Sequence, residues 1–264
     1  AVTEARKLGL CDSILVGSAE KISAIAAEQN FDISPFRIVD EKDPKKSAAI
    51  ATGLVRSGEA DILMKGLIDT ATLLRAVLNK ENGLRTGGLI SHVGVFELSG
   101  YDRLILVTDA AFTIAPTLSE KKSIIENAVD FMHSLGIEVP KVAPLCAVEV
   151  VNEAMPATID AAMLSKMNDR GQLKGCIVDG PLAFDNAMSE EAAKHKGIKS
   201  PVAGKADILL VPNIETGNVL YKSFVYTTKC KNGAVLLGAK APVVLTSRAD
   251  TFETKVNSMA LAIM

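Results

Sequence analysis

The chain has 264 residues, with 29 basic and 31 acidic side chains and a formal net charge of -2. This length fits two modest α/β domains or one large one, and the nearly balanced charge gives no overall field that favours nucleic acid or an anionic membrane surface. Hydrophobic residues make up 48% and aromatic residues only 4%, which favours parallel strands of aliphatic residues covered by Ala-rich helices.

Short β-branched runs alternate with Ala-rich helical patterns along the chain. Strands are predicted at residues 13–17, 37–39, 60–64, 104–108, 141–147, 175–179, 207–212, 233–238 and 242–246. Helices are predicted at residues 1–8, 19–29, from 43–44 onward, 70–78, 119–134, 156–166, around 189–195, 216–224 and 251–264. The periodicity fails between residues 79 and 100, where we expect the chain to cross between domains. The alternation predicts βαβ units and a mostly parallel sheet, in which ligands bind beyond the carboxyl ends of the strands.

The cysteines and the apolar runs are used to predict the cellular compartment. The four cysteines are widely spaced without a C-x-x-C pair, which predicts buried, reduced thiols rather than disulfides or a zinc site. Since no apolar run approaches the ~20 residues of a membrane span and no charged-then-apolar leader is found, a cytoplasmic protein is predicted. The chain opens inside a helical pattern, and we expect that an N-terminal segment is missing from the numbered chain.

The first candidate site follows the last predicted strand, at Ser247, Arg248 and Asp250. A helix start offers free N–H groups, and a guanidinium grips a phosphate through two parallel hydrogen bonds. Ser-x-x-Asp is also a capping pattern, but a helix cap does not require an arginine. We therefore expect Arg248 to bind an anionic ligand.

A second polar segment follows the predicted strand at residues 207–212. Its candidates are Glu215, Gly217, Asn218 and Lys222. The absence of a side chain at Gly217 would let a ligand approach the backbone, and Asn218 can both donate and accept hydrogen bonds. The same residues also fit an ordinary polar helix start, so both interpretations stay open.

A third group leads from the predicted strand at residues 60–64 into the next helix. It consists of Lys65, Thr70, Thr72 and Arg75, with Arg85 in a Gly-rich loop further on. An amine, two hydroxyls and a guanidinium within one loop and one helical turn are typical of an anion site. A solvated helix start is the alternative.

Other motifs point away from metal and nucleotide chemistry. Asp179 and Asp185 follow a predicted strand and are candidates for metal binding or acid–base work, although capping is the favoured interpretation. The three histidines do not cluster with cysteines or carboxylates, and the G-x-G-x-x-G, P-loop and G-x-S-x-G patterns are absent from the sequence. The residues alone therefore predict a phosphate-handling α/β enzyme and nothing more specific.

Six stretches together resemble the phosphate acetyl/butyryltransferase family. They are residues 63–75 (LMKGLIDTATLLR), 141–149 (KVAPLCAVE), 178–185 (VDGPLAFD), 201–207 (PVAGKAD), 212–222 (PNIETGNVLYK) and 242–250 (PVVLTSRAD). The butyryl branch is the closer match, through the Met-Lys-Gly loop, residues 156–170 and the Ser-Arg-Ala-Asp pattern. The resemblance spans nearly the whole chain.

The resemblance implies two three-layer α/β domains with mostly parallel sheets, similar to isocitrate/isopropylmalate dehydrogenases. The first would comprise residues 1–85 with 233–264 and the second residues 86–232, with the active site in an interdomain cleft. The implied activity moves a short-chain acyl group (butyryl, branched-chain or acetyl) between CoA and inorganic phosphate. It implies acyl-CoA, phosphate and acyl phosphate as partners, no permanently bound cofactor, no metal, no nucleic acid or membrane, and a homo-oligomer, dimer or higher.

In such a reaction Arg248, Arg75 and Ser247 would neutralise and orient the phosphate. Thr70, Thr72 or backbone N–H groups would donate to the carbonyl oxygen as it gains charge.

The base for the CoA thiol is the point at which the sequence departs from the family. The acetyl branch has a carboxylate seven residues beyond the serine, where this chain has Thr254. A thiol needs a base or a positive field to become a thiolate. Asp250 or Glu253 would substitute, and Asp250 is preferred.

Two other function classes are weighed against the transferase. A metal-dependent NAD(P) dehydrogenase of similar two-domain fold would need metal-binding carboxylates and a nucleotide loop, and neither is convincing in the sequence. A binding or regulatory protein with a decayed active site is disfavoured because Ser247, Arg248, Asn218 and Arg75 are retained.

Overall fold

The computed structural model describes residues 1–247 and 250–264. The helices are α1 (Val2–Lys7), α2 (Ala19–Glu28), α3 (Pro44–Ser57), α4 (Thr70–Val77), α5 (Leu118–Ser134), α6 (Pro156–Asp169), α7 (Phe184–Met188), α8 (Glu190–His195), α9 (Ile214–Thr227) and α10 (Phe252–Ile263). The strands are β1 (Ile14–Gly17), β2 (Arg37–Asp40), β3 (Leu63–Met64), β4 (Ser91–Leu98), β5 (Leu104–Thr108), β6 (Lys141–Pro144), β7 (Ile177–Val178), β8 (Ile208–Leu210), β9 (Cys230–Leu237) and β10 (Val243–Val244).

The chain divides into two compact units, Ala1–Gly88 with Gly233–Met264, and Leu89–Asn232. In the first unit β1 pairs with β2 in parallel, and β10 pairs in parallel with β3 and antiparallel with β9. The parallel pair β3–β10 matters most for function, because both strands deliver their carboxyl ends to the same edge of the sheet.

The second unit contains strands in the order β4-β5-β8-β6-β7. All of these pairs are parallel except β4–β5, so the carboxyl ends of β5, β8, β6 and β7 meet at one edge. The mostly parallel α/β arrangement predicted from the sequence is confirmed. The strands are covered on both faces, and Ile105, Val142 and Leu209 are fully buried, each burial contributing about 1.5–3 kcal/mol.

Side-chain caps fix where several helices begin. Asp43 accepts hydrogen bonds from the first turn of α3, with Pro44 as the first helical residue. Thr117 and Glu120 form a reciprocal capping box on α5, and Asn213 caps α9. These caps satisfy N–H groups that the first turn of a helix leaves without intrahelical partners.

Strand β4 is the main element that the sequence did not predict. Residues 91–98 alternate only weakly, and the structure shows why: every position of β4 except Glu97 is buried. A strand covered on both faces has no polar side to alternate with. The helix predicted around residues 189–195 is α8, and the short helix α7 that precedes it was not predicted.

Candidate functional site

The carboxyl ends of β3 and β10 bring two predicted site segments of the first unit together. Met64 lies opposite Val244 in the parallel register, and the backbone N–H of Lys65 donates to the carbonyl of Val244 at 2.9 Å. Lys65 and Ser247 therefore follow neighbouring strands at one sheet edge. Lys65 is only 6% exposed, and lysines are rarely buried so fully unless they are paired.

Ser247 and Asp250 are joined by two hydrogen bonds. The backbone N–H of Ser247 donates to the Asp250 carboxylate at 2.6 Å, and the N–H of Asp250 donates to the Ser247 carbonyl at 3.2 Å. The cap of α10 is Thr251, which accepts from the N–H of Thr254, so Asp250 contacts Ser247 and is not the helix cap. Arg248 lies outside the described residues.

Thr254, where the resemblance led us to expect a carboxylate, is part of the packing of α10. It is buried, and its backbone carbonyl accepts from the Ser258 hydroxyl at 2.7 Å. The Ser258 hydroxyl in turn accepts from the N–H of Ala234 in β9. This position therefore ties α10 to a strand, whereas Glu253 is exposed in the first turn.

Asp69, which the sequence analysis did not select, organises the start of α4. Its carboxylate accepts from the backbone N–H of Thr72 at 2.8 Å. The hydroxyl of Thr72, together with that N–H and the more distant charge of Arg75, holds the pKa of the exposed Asp69 carboxyl below its usual value. Thr72 is thus engaged locally, while Thr70 and Arg75 are exposed to solvent.

Arg85 lies in a segment fixed to the residues just before β10. It forms an isolated antiparallel bridge with Ala239, and the Thr86 hydroxyl donates to the carbonyl of Gly238 at 2.8 Å. The preceding Gly83 is required by close packing, since a Cβ there would lie 2.4 Å from the carbonyl oxygen of Val77. The Arg85 side chain itself is exposed.

The candidates on α9 belong to the second unit. Glu215 and Lys222 are exposed and Asn218 is half-buried. Gly217 is buried, and a Cβ there would meet the Ala110 Cα and the Asp109 carbonyl oxygen, each at 2.8 Å. The close approach of α9 to this backbone explains why position 217 is a glycine. The expectation that Gly217 lets a ligand approach the backbone is therefore not needed to explain it.

Asp109 is a buried carboxylate that the sequence analysis missed. It is 2% exposed, and its two oxygens accept from the backbone N–H groups of His92, Ala111, Phe112 and Thr113 and from the Thr113 hydroxyl, at 2.8–3.2 Å. It thereby fixes the loop that leaves β5 beside α9. The available signal was an aspartate directly after a strongly apolar strand.

The carboxylates after β7 do not form the pair that metal binding would need. Asp179 accepts from the Ser165 hydroxyl at 3.3 Å, whereas Asp185 pairs with Lys196 at 3.4 Å. Lys196 also donates to Glu149 at 3.2 Å, and these hydrogen bonds, that to Glu149 first, raise the pKa of Lys196. Within residues 1–247 and 250–264, no group of three or more His, Cys, Asp or Glu side chains is arranged to hold a metal ion.

The PVAGKAD stretch has a structural role in the second unit. Asp207 accepts from the backbone N–H of Lys141 at 2.8 Å and lies 3.6 Å from the guanidinium of Arg103. Gly204 has φ +75, and a Cβ there would lie 2.5 Å from the backbone nitrogen of Glu190. This stretch therefore helps to hold β6, β8 and α8 together.

Two of the four free cysteines carry protonated thiols. Burial raises the pKa of Cys146 and of Cys176 to about 11, and only the thiolate is nucleophilic. We expect both thiols to react with iodoacetamide at least about 10-fold more slowly at pH 8 than in the unfolded chain, because a free thiol has a pKa of about 8.5. Peptide mapping by mass spectrometry in buffer and in guanidinium chloride measures this. Equal labelling of the folded and unfolded protein would contradict it.

Comparisons with known proteins agree with the resemblance found in the sequence. The profile of the family described as "Phosphate acetyl/butaryl transferase" matches residues 44–263. The phosphate butyryltransferase of Clostridium acetobutylicum is 61% identical over 99% of this chain and 87% of its own length. The phosphate acetyltransferase of Thermotoga maritima is 48% identical over 99% of this chain and 89% of its own.

A solved structure shows the same likeness. A branched-chain phosphotransacylase from Enterococcus faecalis V583 superimposes with a TM-score of 0.82 at 34% identity, covering 95% of this chain and 98% of that one. Separately, no helix in the part of the chain that the structure describes is long and apolar enough to cross a bilayer. The family profile, the two sequence relatives and this structure together show that the chain belongs to the phosphate acetyl/butyryltransferase family.

Proposed function

We propose that the chain transfers a short-chain acyl group between CoA and inorganic phosphate. Membership of the family supports the activity. The observation that carries the site is the hydrogen bond from the backbone N–H of Lys65 to the carbonyl of Val244, which brings the backbone of this buried lysine to the strand end that leads to Ser247. A lysine and a serine that follow neighbouring parallel strands are suitable partners for a dianionic phosphoryl group.

In the proposed reaction the protein acts mainly by stabilising charge, and no covalent bond between protein and substrate is required. In the direction of acyl-CoA synthesis the thiol of CoA loses its proton, its sulfur bonds to the carbonyl carbon, and the bond from that carbon to the phosphate oxygen breaks. Negative charge develops on the carbonyl oxygen and on the departing phosphate. Fixed donors and cations at those positions lower the barrier because they need no reorganisation.

The proposed roles follow from the chemistry of each side chain. Lys65, Arg75, Arg85 and Arg248 bind the phosphate groups of the substrates, and Thr70 donates to the carbonyl oxygen. Thr72 supports this group indirectly through Asp69.

The serine loop and α9 complete the proposed assignment. Ser247 orients the phosphate and Asp250 serves as the base, held in place by its contact with the Ser247 N–H. Glu215, Asn218 and Lys222 contact polar groups of CoA. Gly217 serves packing.

A thiol-release assay tests the activity. Butyryl-CoA should yield free CoA only when inorganic phosphate is present, with one acyl phosphate formed per thiol and no change of rate when a chelator is added. Reduction of NAD(P) without thiol release would instead favour the dehydrogenase, which the transferase relatives do not favour. Binding of CoA without turnover would favour a regulatory protein.

Replacing Lys65 by Met is expected to lower kcat/KM by about 10- to 100-fold, mainly through a higher KM for phosphate. A hydrogen bond to a charged group contributes about 1.5–3 kcal/mol, and Met has a similar shape without the charge. Steady-state kinetics at varied phosphate measure the effect. The exposed Lys80 provides the control, Lys80→Met, which should leave KM unchanged. An unaltered KM in a folded Lys65→Met variant would remove Lys65 from the site.

The finer architectural and cellular predictions are also part of this proposal. We propose a cytoplasmic homo-oligomer, dimer or higher, with two three-layer domains of the isocitrate/isopropylmalate dehydrogenase type. Sedimentation velocity decides the oligomeric state, since a species of 27.9 kDa would be a monomer and would contradict it.

A further inference from the structure

A buried ion pair joins two helices of the second unit. The ammonium of Lys121 on α5 donates to the carboxylate of Asp160 on α6 at 2.6 Å. The side chain of Lys121 is 7% exposed and that of Asp160 is 28% exposed. The cost of taking a lysine charge out of water can exceed the attraction to one carboxylate. Stability alone therefore does not explain why the pair is buried.

The ammonium of Lys121 has more hydrogen-bond donors than the ion pair uses. An ammonium group carries three N–H donors, and in the part of the chain that the structure describes its one acceptor is Asp160. Both side chains line a small cavity, together with mostly apolar residues that include Pro144, Leu164 and Leu210. The cavity has a volume of about 10 Å³, which is about the space that one water-sized oxygen occupies.

The cavity lies where the helices that follow two neighbouring strands diverge. Pro144 ends β6 and lies opposite Leu210, which ends β8, in the parallel register. Helix α6 leads from β6 toward β7 and contacts that strand through Ser165. Helix α9 follows β8 and packs toward β5, where Gly217 approaches Ala110. In parallel sheets, ligands bind in the crevice that such a divergence opens at the carboxyl ends of the strands.

The size and charge of this crevice determine which chemical group it can bind. A phosphoryl group carries oxygens on every side of its phosphorus, so a space for one oxygen does not admit it, and the Asp160 carboxylate repels its charge. A single carbonyl oxygen fits this space. A charged donor such as an ammonium binds a carbonyl oxygen more strongly than a neutral donor does.

Among the substrates of the proposed reaction, CoA carries carbonyl oxygens in the amides of its pantetheine arm. The reacting carbonyl is assigned to Thr70 in the first unit, which leaves the amides for this crevice. We infer that the crevice at Lys121 and Asp160 binds an amide carbonyl of the pantetheine arm, with Lys121 as the donor. This inference rests on the acyl transfer proposed above. Pro212 also lines the cavity and directly precedes Asn213, the cap of α9, so the crevice adjoins the helix already proposed to contact CoA.

The double variant Lys121→Met with Asp160→Leu tests the inference, because it removes both charges and keeps side chains of similar size. Replacing a buried ion pair by apolar residues of similar volume often leaves the fold intact. The dissociation constant of CoA, measured by isothermal titration calorimetry, is expected to rise about 10-fold, the usual loss when a charged donor is removed. The dissociation constant of 3′-phospho-ADP, which is CoA without its pantetheine arm, should stay unchanged.

A second variant, Ala157→Leu, tests the same crevice without removing the ion pair. Ala157 lines the cavity and is half-buried, so a leucine there fills the free space and adds no charge. The affinity for CoA should again fall, while that for 3′-phospho-ADP should not. Thermal unfolding shows whether each variant is folded.

Lys166 and Asp169 provide the matched control. They form a pair of the same residue types on α6, with the same 2.6 Å distance, but their side chains are 65% and 57% exposed. Neither residue lines the cavity. The double variant Lys166→Met with Asp169→Leu should therefore leave the dissociation constant of CoA unchanged.

Two results would overturn the inference. An unchanged affinity for CoA in the folded variants would mean that the cavity holds water only. Equal losses for CoA and 3′-phospho-ADP would mean that the substitutions disturb the nucleotide site and not a pantetheine contact. The transferase activity is tested separately, since an unmodified protein that binds CoA but turns over no butyryl-CoA would overturn that activity. In such a protein, weaker binding of CoA by the variants would still support the crevice.

Discussion

Replacing Arg248 by Ala is expected to reduce kcat by about 10²- to 10³-fold, the cost of losing one fixed donor to developing negative charge. A guanidinium carries a charge at any working pH, and its geometry suits a phosphoryl group bound through two parallel hydrogen bonds. It directly follows Ser247, whose loop is closed by Asp250. Single-turnover measurements with butyryl-CoA and phosphate separate the chemical step from binding.

Lysine at position 248 provides a graded control for that experiment. Arg248→Lys keeps the charge but loses the planar pair of donors, so its kcat should lie between those of the unmodified protein and Arg248→Ala. Both variants should unfold at the same temperature as the unmodified protein. A folded Arg248→Ala variant with full turnover would remove Arg248 from the mechanism and weaken the assignment of the Ser247 loop.

Replacing Asp109 by Asn is expected to lower the free energy of unfolding by about 2–4 kcal/mol. Asparagine has the same shape as aspartate, but its NH₂ group replaces one of the two accepting oxygens. That NH₂ group would face either the N–H groups of His92 and Thr113 or those of Ala111 and Phe112, so donors would face donors. Hydrogen bonds to a charged acceptor contribute about 1.5–3 kcal/mol each, and buried donors left unsatisfied add a further cost. Urea unfolding followed by circular dichroism measures the loss.

Asp102 provides the matched control for Asp109. Its side chain is 94% exposed and lies 3.6 Å from the guanidinium of Arg103, and exposed ion pairs contribute only about 0–1 kcal/mol. Asp102→Asn should therefore leave stability nearly unchanged. If the two substitutions lowered the free energy of unfolding equally, the burial of the Asp109 carboxylate would not explain its contribution to stability.

The sequence predicted the helix starts and the parallel βα units well because those signals are local. Asp43 followed by Pro44 is a capping pattern that needs no tertiary partner. Strand β4 escaped prediction for the opposite reason. Its apolar run has no polar side, and only the elements packed on both faces make it a strand.

For several candidate site residues, contacts seen in the structure changed the role that the sequence had suggested. Gly217 has the same sequence context whether a ligand or the backbone at Asp109 approaches it, and only the fold places that backbone there. Thr72 looked like a free donor, but the hydrogen bonds to Asp69 engage it locally. Asp250 looked like half of a helix cap and instead closes the loop at Ser247.

The sequence by itself determined the family, the alternation of strands and helices, and the three segments that carry the candidate charges. These are properties of residue order, because periodicity and caps act over a few positions along the chain. The tertiary structure decided that Lys65 is buried beside the end of β10 and that Asp109 holds five hydrogen-bond donors. Burial and long-range hydrogen bonds depend on which segments, distant in sequence, lie next to each other in the fold. Strand pairing decides which segments meet, and a pattern of a few neighbouring residues does not contain that information.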